Sequence, residues 1–157
     1  MLPVLYNNLK RIVQTDRHVM ILTEMVHDAR LIRLNSEHQP NYIRSWMGDS
    51  IGRWDGDTLV VDTTNFVSNP ALNGADENLR VIESFKKQSD GSLHYSFRVE
   101  DPTVWRSAWE GDFPWPLTDA KVYEYACHEG NYALGNIMRG ARLLEADVQK
   151  GIPVSEG

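Results

Sequence analysis

This chain has a single cysteine, Cys127, which excludes an internal disulfide and reads more readily as a small buried hydrophobe than as a nucleophile. It lacks the HExxH and CxxC spacings of local metal sites, the GxSxG of acyl-transfer serines and any glycine-rich phosphate loop opening a helix, so those chemistries are set low. No apolar run approaches the roughly 20 residues of a membrane span, so no spanning helix is expected. Positive charge is also sparse. There are 16 Lys and Arg against 22 Asp and Glu, a formal net charge of -6, with Lys86-Lys87 as the only adjacent lysines. A nucleic-acid partner is therefore not expected. No signal peptide precedes Tyr6, and the opening MLPVLYNN reads as an entry into a strand, as if the chain were a piece of a longer protein.

What is present is β-forming sequence cut at short intervals by turn residues. Asn7-Asn8, Asn35-Ser36, Gln39-Pro40, Asp55-Gly56, Asn69-Pro70, Asn73-Gly74, Asp90-Gly91 and Gly130-Asn131 separate runs rich in β-branched and aromatic residues. The spacing predicts strands at about 10–15, 18–26, 28–34, 42–46, 50–54, 57–66, 79–88, 92–101 and 120–128. After Gly130 the period changes: Leu134, Ile137, Met138, Ala141 and Leu144 recur at helical spacing, with Asn131 as a cap. The expectation is a mainly β protein, a curled antiparallel meander sheet or small lipocalin-like β-barrel with one C-terminal helix. A length of 157 residues suits one β-rich domain, with the sheet over about 10–128 and the helix over 131–150.

Two hairpins can be registered from their turns. Asp55-Gly56 as a two-residue primed turn pairs Trp54 with Asp57, Gly52 with Leu59, Ile51 with Val60 and Asp49 with Asp62. Two carboxylates then oppose each other and need a shared proton, a bound cation or an arginine such as Arg44 or Arg53. Asp90-Gly91 read the same way pairs Glu83 with Arg98 and Arg80 with Asp101, which puts Glu83 on the wetter face; a bulged three-residue turn would shift the register by one and reverse that. Pro102 to Pro116, with three of the five tryptophans, reads as a long loop, either a lid or a plug.

The residues that can carry chemistry are few. His27 interrupts an apolar run together with Glu24, Asp28 and Arg30, as a general base or metal ligand or else as a solvated turn residue. His128 and Glu129 sit at a strand end beside Gly130. Asp62 with Asp49, Glu77 or Glu83 offers carboxylate pairs for acid and base work, as in glycoside hydrolysis. No cofactor is called for; a divalent metal on His27, His128 and one of Asp49, Asp62 or Glu129 is the minority alternative, without a local motif behind it.

The block Trp46 to Phe66, WMGDSIGRWDGDTLVVDTTNF, resembles one found in a large family of uncharacterised bacterial proteins, many of them exported and longer at the N-terminus. The resemblance extends upstream through Glu24, His27, Arg30 and Ile32, and downstream through Glu77, Leu79 to Val81, Glu83, Phe85, Asp101-Pro102, Tyr125, Cys127 and Glu129. It covers most of residues 10–132 and implies a periplasmic or secreted protein. It raises Glu24, His27, Arg30, Asp62, Glu77, Arg80, Glu83 and Glu129 above the other polar residues, and it implies no particular reaction.

Together these features suggest a small-molecule enzyme using acid/base chemistry in a β-barrel pocket, foremost a hydrolase of a small organic or sugar-like substrate. His27 would be the acid or base, Asp62 or Glu83 would orient it, and Arg30 or Arg44 would stabilise negative charge. A non-catalytic small-ligand-binding module and a partner-binding domain of a longer protein are the alternatives, and homo-oligomerisation is left open.

Overall fold

Period-two alternation builds eight strands among the residues described by this computed structural model, which are 9–70, 72, 74–123 and 132–151. They are β1 (Lys10–Gln14), β2 (His18–Thr23), β3 (Ala29–Leu34), β4 (Asp49–Asp55), β5 (Thr58–Thr64), β6 (Arg80–Lys87), β7 (Leu93–Glu100) and β8 (Trp109–Trp115). Helix α1 spans Ala133–Gln149. The chain divides into two compact units, Met1–Glu124 with the sheet and Tyr125–Gly157 with the helix. None of the described helices is long and apolar enough to cross a membrane.

The strands form one sheet whose spatial order follows the sequence order, curled into a half-barrel. Neighbours pair antiparallel except β3 and β4, which run parallel through Ile32↔Ser50, Arg33↔Ile51 and Leu34↔Gly52. A parallel step needs a crossover of about a dozen residues or more, and the segment from Asn35 to Gly48 supplies it. This is a departure from the pure meander. The predicted strand at 42–46 falls inside the crossover and is reduced to a single bridge, Ser45 with Phe66.

The concave face carries the core. Val19, Ile21, Ile32, Leu59, Val61, Phe85 and Tyr95 are buried together, each on the inward parity of its strand. Tyr95 is the hub of the aromatics, with ring centroids 5.0 Å from Phe85, 4.9 Å from Trp115 and 5.1 Å from Phe113. Such contacts add about 0.5 to 1.5 kcal/mol per pair beyond area burial. A second cluster, Phe66, Leu79, Val81 and Val99, closes one end of this face. Lys10 Nζ on β1 lies 4.9 Å from the ring centre of Trp115 on β8, so the curl brings the two edge strands near one another without pairing them.

Pro102 to Pro116 is not simply a loop, because its second half is strand β8. The prolines disguise it. Pro114 is tolerated because β8 is an edge strand, and Trp109, Phe113 and Trp115 share the inward parity while Glu110 and Asp112 face out. The predicted strand at 120–128 is not formed over residues 120–123, and its remainder lies outside the described residues.

Both hairpin registers differ from expectation, by amounts that matter differently. In β4–β5 the central turn residues are Gly56 and Asp57, so Asp55 pairs with Thr58, Ile51 with Asp62 and Asp49 with Thr64. Gly56 takes the first central position at φ 59°, which spares Asp55 a left-handed backbone. The shift is two residues, so every side chain keeps its face, but Asp49 and Asp62 are diagonal rather than opposed. In β6–β7 the bulged three-residue alternative is realised: Gln88 N–H donates to Ser92 O at 2.8 Å and Gly91 sits at φ 86°. Glu83 now pairs with Phe97 and Arg80 with Glu100. This one-residue slip turns Glu83 from the wet face into the core, where it is 1 % exposed.

Candidate functional site

The same strands carry two polar clusters, one on each face, because adjacent residues point opposite ways. Ser50 and Thr63 look into the half-barrel, while their neighbours Asp49 and Asp62 look out.

Inside, Arg30 and Glu83 form a buried pair. Arg30 Nη1 donates to Glu83 Oε1 at 3.1 Å, and Nη2 meets Oε2. Tyr95 Oη donates to Glu83 Oε1 at 2.8 Å, Arg30 Nε donates to Ser50 Oγ at 3.1 Å, and Ser50 Oγ lies 2.9 Å from Thr63 Oγ1. Burial alone would push the Glu83 carboxyl up, but the Arg30 guanidinium holds it well below the usual carboxylate range. Burial and the adjacent Glu83 charge drive the Tyr95 phenol the other way, well above its ordinary value. The pair is thus ionised and the phenol protonated across the working pH range. A buried network of this kind suits fixing the curvature of the sheet.

Outside, the crossover folds back over β3, β4 and β5. Gly48 makes this return feasible, with φ 69° and no room for a Cβ, which would lie 2.6 Å from Thr64 O and 2.8 Å from Thr63 Cγ2. Asn65 Nδ2 ties the loop down by donating to Gln39 O at 2.8 Å. His38 is thereby set between the two aspartates. Its Nδ1 is 3.0 Å from Asp49 Oδ2, and its Nε2 is 3.8 Å from Asp62 Oδ2. Each carboxylate is also gripped by an arginine. Arg33 Nη2 donates to both oxygens of Asp49 at 2.8 and 3.0 Å; Arg80 Nε and Nη2 donate to Asp62 at 3.0 and 2.6 Å. Partial burial raises both carboxyls, but the Gln39 amide, His38 and Arg33 at Asp49, and Arg80 with His38 at Asp62, bring each below its ordinary value.

An ionised Asp49 can only accept, so Nδ1 of His38 donates to it. The other ring nitrogen, Nε2, is buried and has no hydrogen-bond partner. The arrangement can take up a proton at Nε2, with Asp49 orienting the ring and Asp62 beside the charge that forms.

The residues singled out from sequence are dispersed. Arg30 and Glu83 meet inside, and Asp62 joins the outer cluster with Arg80 and His38, not with His27. His27 ends a 3-10 turn between β2 and β3 at φ 46° and is exposed, the solvated-turn alternative, with Asp28 half-buried next to it. Arg44 clamps neither aspartate; its Nη1 donates to Phe66 O at 2.9 Å and Glu77 O at 2.8 Å, securing the crossover. Arg53 is exposed on β4, and the arginines that do grip Asp49 and Asp62 are Arg33 and Arg80. His128 and Glu129 lie outside the described residues. Glu24 Oε1 accepts from Tyr123 N–H at 3.3 Å. Among the described residues, no group of three or more His, Cys, Asp and Glu is arranged to hold a metal ion.

His38 is the residue that sequence reasoning passed over, together with Arg33. Neither has a periodic signal, since His38 lies in an irregular segment whose return path depends on Gly48 and Asn65. Ser50, Thr63 and Tyr95 were legible in principle, as polar groups on the inward parity of apolar strands. Comparison of the chain with protein-family models, with curated proteins and with solved structures finds no significant match.

Proposed function

We propose that this protein is a small-molecule enzyme working by acid/base chemistry, a hydrolase of a small organic or sugar-like substrate, with His38 as the group that moves the proton. One observation carries the reading: Nδ1 of His38 is anchored on an arginine-held aspartate while the buried Nε2 has no hydrogen-bond partner. Asp49 fixes the ring and its tautomer, Nε2 removes a proton from an attacking water, and Asp62 stabilises the imidazolium. Arg33 and Arg80 keep both aspartates ionised. Because Nε2 is buried, the cluster must open for water to reach it, and substrate binding would supply that opening.

The test is a hydrolysis screen over esters, lactones and glycosides, followed by His38→Gln and Asp49→Asn on any substrate turned over. Loss of a general base lowers kcat by about 100-fold or more. Full turnover by His38→Gln, with the same pH profile, overturns the assignment.

A non-catalytic ligand-binding module is the second reading, favoured by the half-buried Phe97, Trp109, Phe113 and Trp115 along the concave face. Saturable quenching of tryptophan fluorescence by a compound that is never converted would favour it over catalysis.

A further inference from the structure

The curl of the sheet leaves a gap between its two edges. Lys10 of β1 reaches Trp115 of β8, yet the two strands do not pair, and the chain leaving β8 runs on through residues 118–122 beside β1. The end of this segment is fastened where Tyr123 N–H donates to Glu24 Oε1 at 3.3 Å. Between the segment and β1 lies a cleft of about 540 Å³. That size is within the roughly 300 to 1,000 Å³ of small-ligand sites.

The lining has two parts. Leu9, Ile12, Ala120 and Val122 supply an apolar wall, while Lys10, Arg11 and Lys121 bring three positive charges together in a chain whose formal net charge is -6. Successive residues leave a strand on opposite faces, so Lys10 and Arg11 straddle the β1 edge. Among the described residues, no carboxylate lines the cleft and none forms an ion pair with any of the three. The rest of the sheet differs: Arg30, Arg33, Arg44, Arg80 and Arg98 each meet an aspartate or a glutamate. Partial burial lowers the pKa of the Lys10 ammonium, as expected of a cation with no anion beside it. Thr118 Oγ1 accepts the Ala120 N–H at 3.2 Å, which leaves its own hydrogen to donate.

Charge on an edge strand also discourages pairing with a second chain. That use accounts for Lys10 and Arg11 at most. Lys121 lies on no strand, and protecting an edge does not require it to join them around a cavity.

We propose that the cleft between β1 and residues 118–122 binds a small amphipathic anion, its oxyanion head held by Lys10, Arg11 and Lys121 and its short hydrocarbon body laid against Leu9, Ile12 and Val122. The Thr118 hydroxyl offers the head one further hydrogen bond. The site lies outside the His38 cluster and stands whether or not His38 catalyses.

Isothermal titration of the full chain with octanoate, octyl phosphate, 1-octanol and inorganic phosphate is the test. The two octyl anions separate a carboxylate head from a phosphate one. The expected result is saturable binding of at least one of them, weakened by about tenfold or more in Lys10→Met and Lys121→Glu, while Lys87→Met, which does not line the cleft, stays within about twofold. Ile12→Asn should weaken the same ligand through its hydrocarbon end. Absence of saturable binding by both octyl anions, affinity indifferent to Lys10→Met and Lys121→Glu, or equal affinity for 1-octanol or for inorganic phosphate overturns the proposal. An unchanged urea midpoint separates loss of the ligand from loss of the fold, and Lys121→Glu, on an exposed residue outside the sheet, decides the matter if Lys10→Met disturbs β1.

Discussion

The guanidinium of Arg30 on β3 meets the carboxylate of Glu83 on β6 with paired contacts at the centre of the concave face, 53 residues apart in the chain. Both are ionised and almost wholly enclosed, at 5 % and 1 % exposure. Losing one member of a buried, hydrogen-bonded ion pair costs roughly 3 to 5 kcal/mol, whereas an apolar pair of similar volume can be close to neutral. Arg30→Met and Glu83→Leu singly should each lower unfolding free energy by that amount, and the double variant should recover most of the loss. Urea unfolding of the three proteins measures it, and additive losses would show that the two side chains do not act as a pair.

The acid response follows from carboxyls whose folded values are depressed. Glu83, Asp49 and Asp62 are all held down, against the opposing effect of burial, by Arg30, by the Gln39 amide with His38 and Arg33, and by Arg80 with His38. A depressed folded pKa contributes stability that is fully present above the unfolded value, about 4 for these side chains, and is lost as pH falls through that value toward the folded one. The urea midpoint should therefore be flat from pH 7 to about 5 and fall steadily below it. A midpoint unchanged down to pH 3 would mean that these ion pairs are absent in solution.

Two glycines of the same backbone class should respond oppositely. Gly48 and Gly56 both have positive φ, but a Cβ on Gly48 collides with Thr64 O and Thr63 Cγ2 while one on Gly56 meets nothing within 4 Å. Gly56→Asn should stay within about 0.5 kcal/mol of the parent, and Gly48→Asn should cost about 2 kcal/mol or more and loosen the crossover that holds His38. Thermal unfolding of the two variants distinguishes them, and equal losses would contradict this placement of the loop.

Asp62 and Arg80 form a partly exposed pair, with Arg80 47 % open. Pairs of that kind contribute about 1 kcal/mol or less. Asp62→Asn should therefore leave the melting temperature within a few degrees while reducing turnover of any substrate found. A collapse of stability would assign Asp62 to the scaffold alone.

The parts legible in the sequence are those where period and turn chemistry agree. β4 to β7 follow the alternation of their residues, and the inward set Tyr95, Phe97 and Val99 lies where alternation puts it. Registers were harder, because one residue of turn length separates a buried Glu83 from a solvated one and both turns satisfy the pair Asp90-Gly91. β8 was masked by Pro114, whose cost vanishes only at a sheet edge, and edge position is a property of the whole sheet. The outer cluster was half visible. Asp49 and Asp62 stood out as carboxylates needing partners, but the partners come from a crossover whose path is fixed by tertiary contacts, so Arg33 and His38 carried no local mark.

The parallel step between β3 and β4 rests on three backbone pairs, against seven between β4 and β5 and eight between β6 and β7. The sheet is in effect two hairpin ribbons, β1 to β3 and β4 to β8, spliced along a short seam and pinned across it by Arg30 to Ser50 and Arg33 to Asp49. The exposed Tyr42-Ile43 stretch is the natural place to sever the covalent link between them. Cut there, the two ribbons retain all their antiparallel pairings, and the splice, the Arg30–Glu83 pair and the core that both ribbons share are what would reassemble them, which makes the half-barrel a two-piece structure whose pieces recognise each other through charge and apolar packing as well as through the main chain.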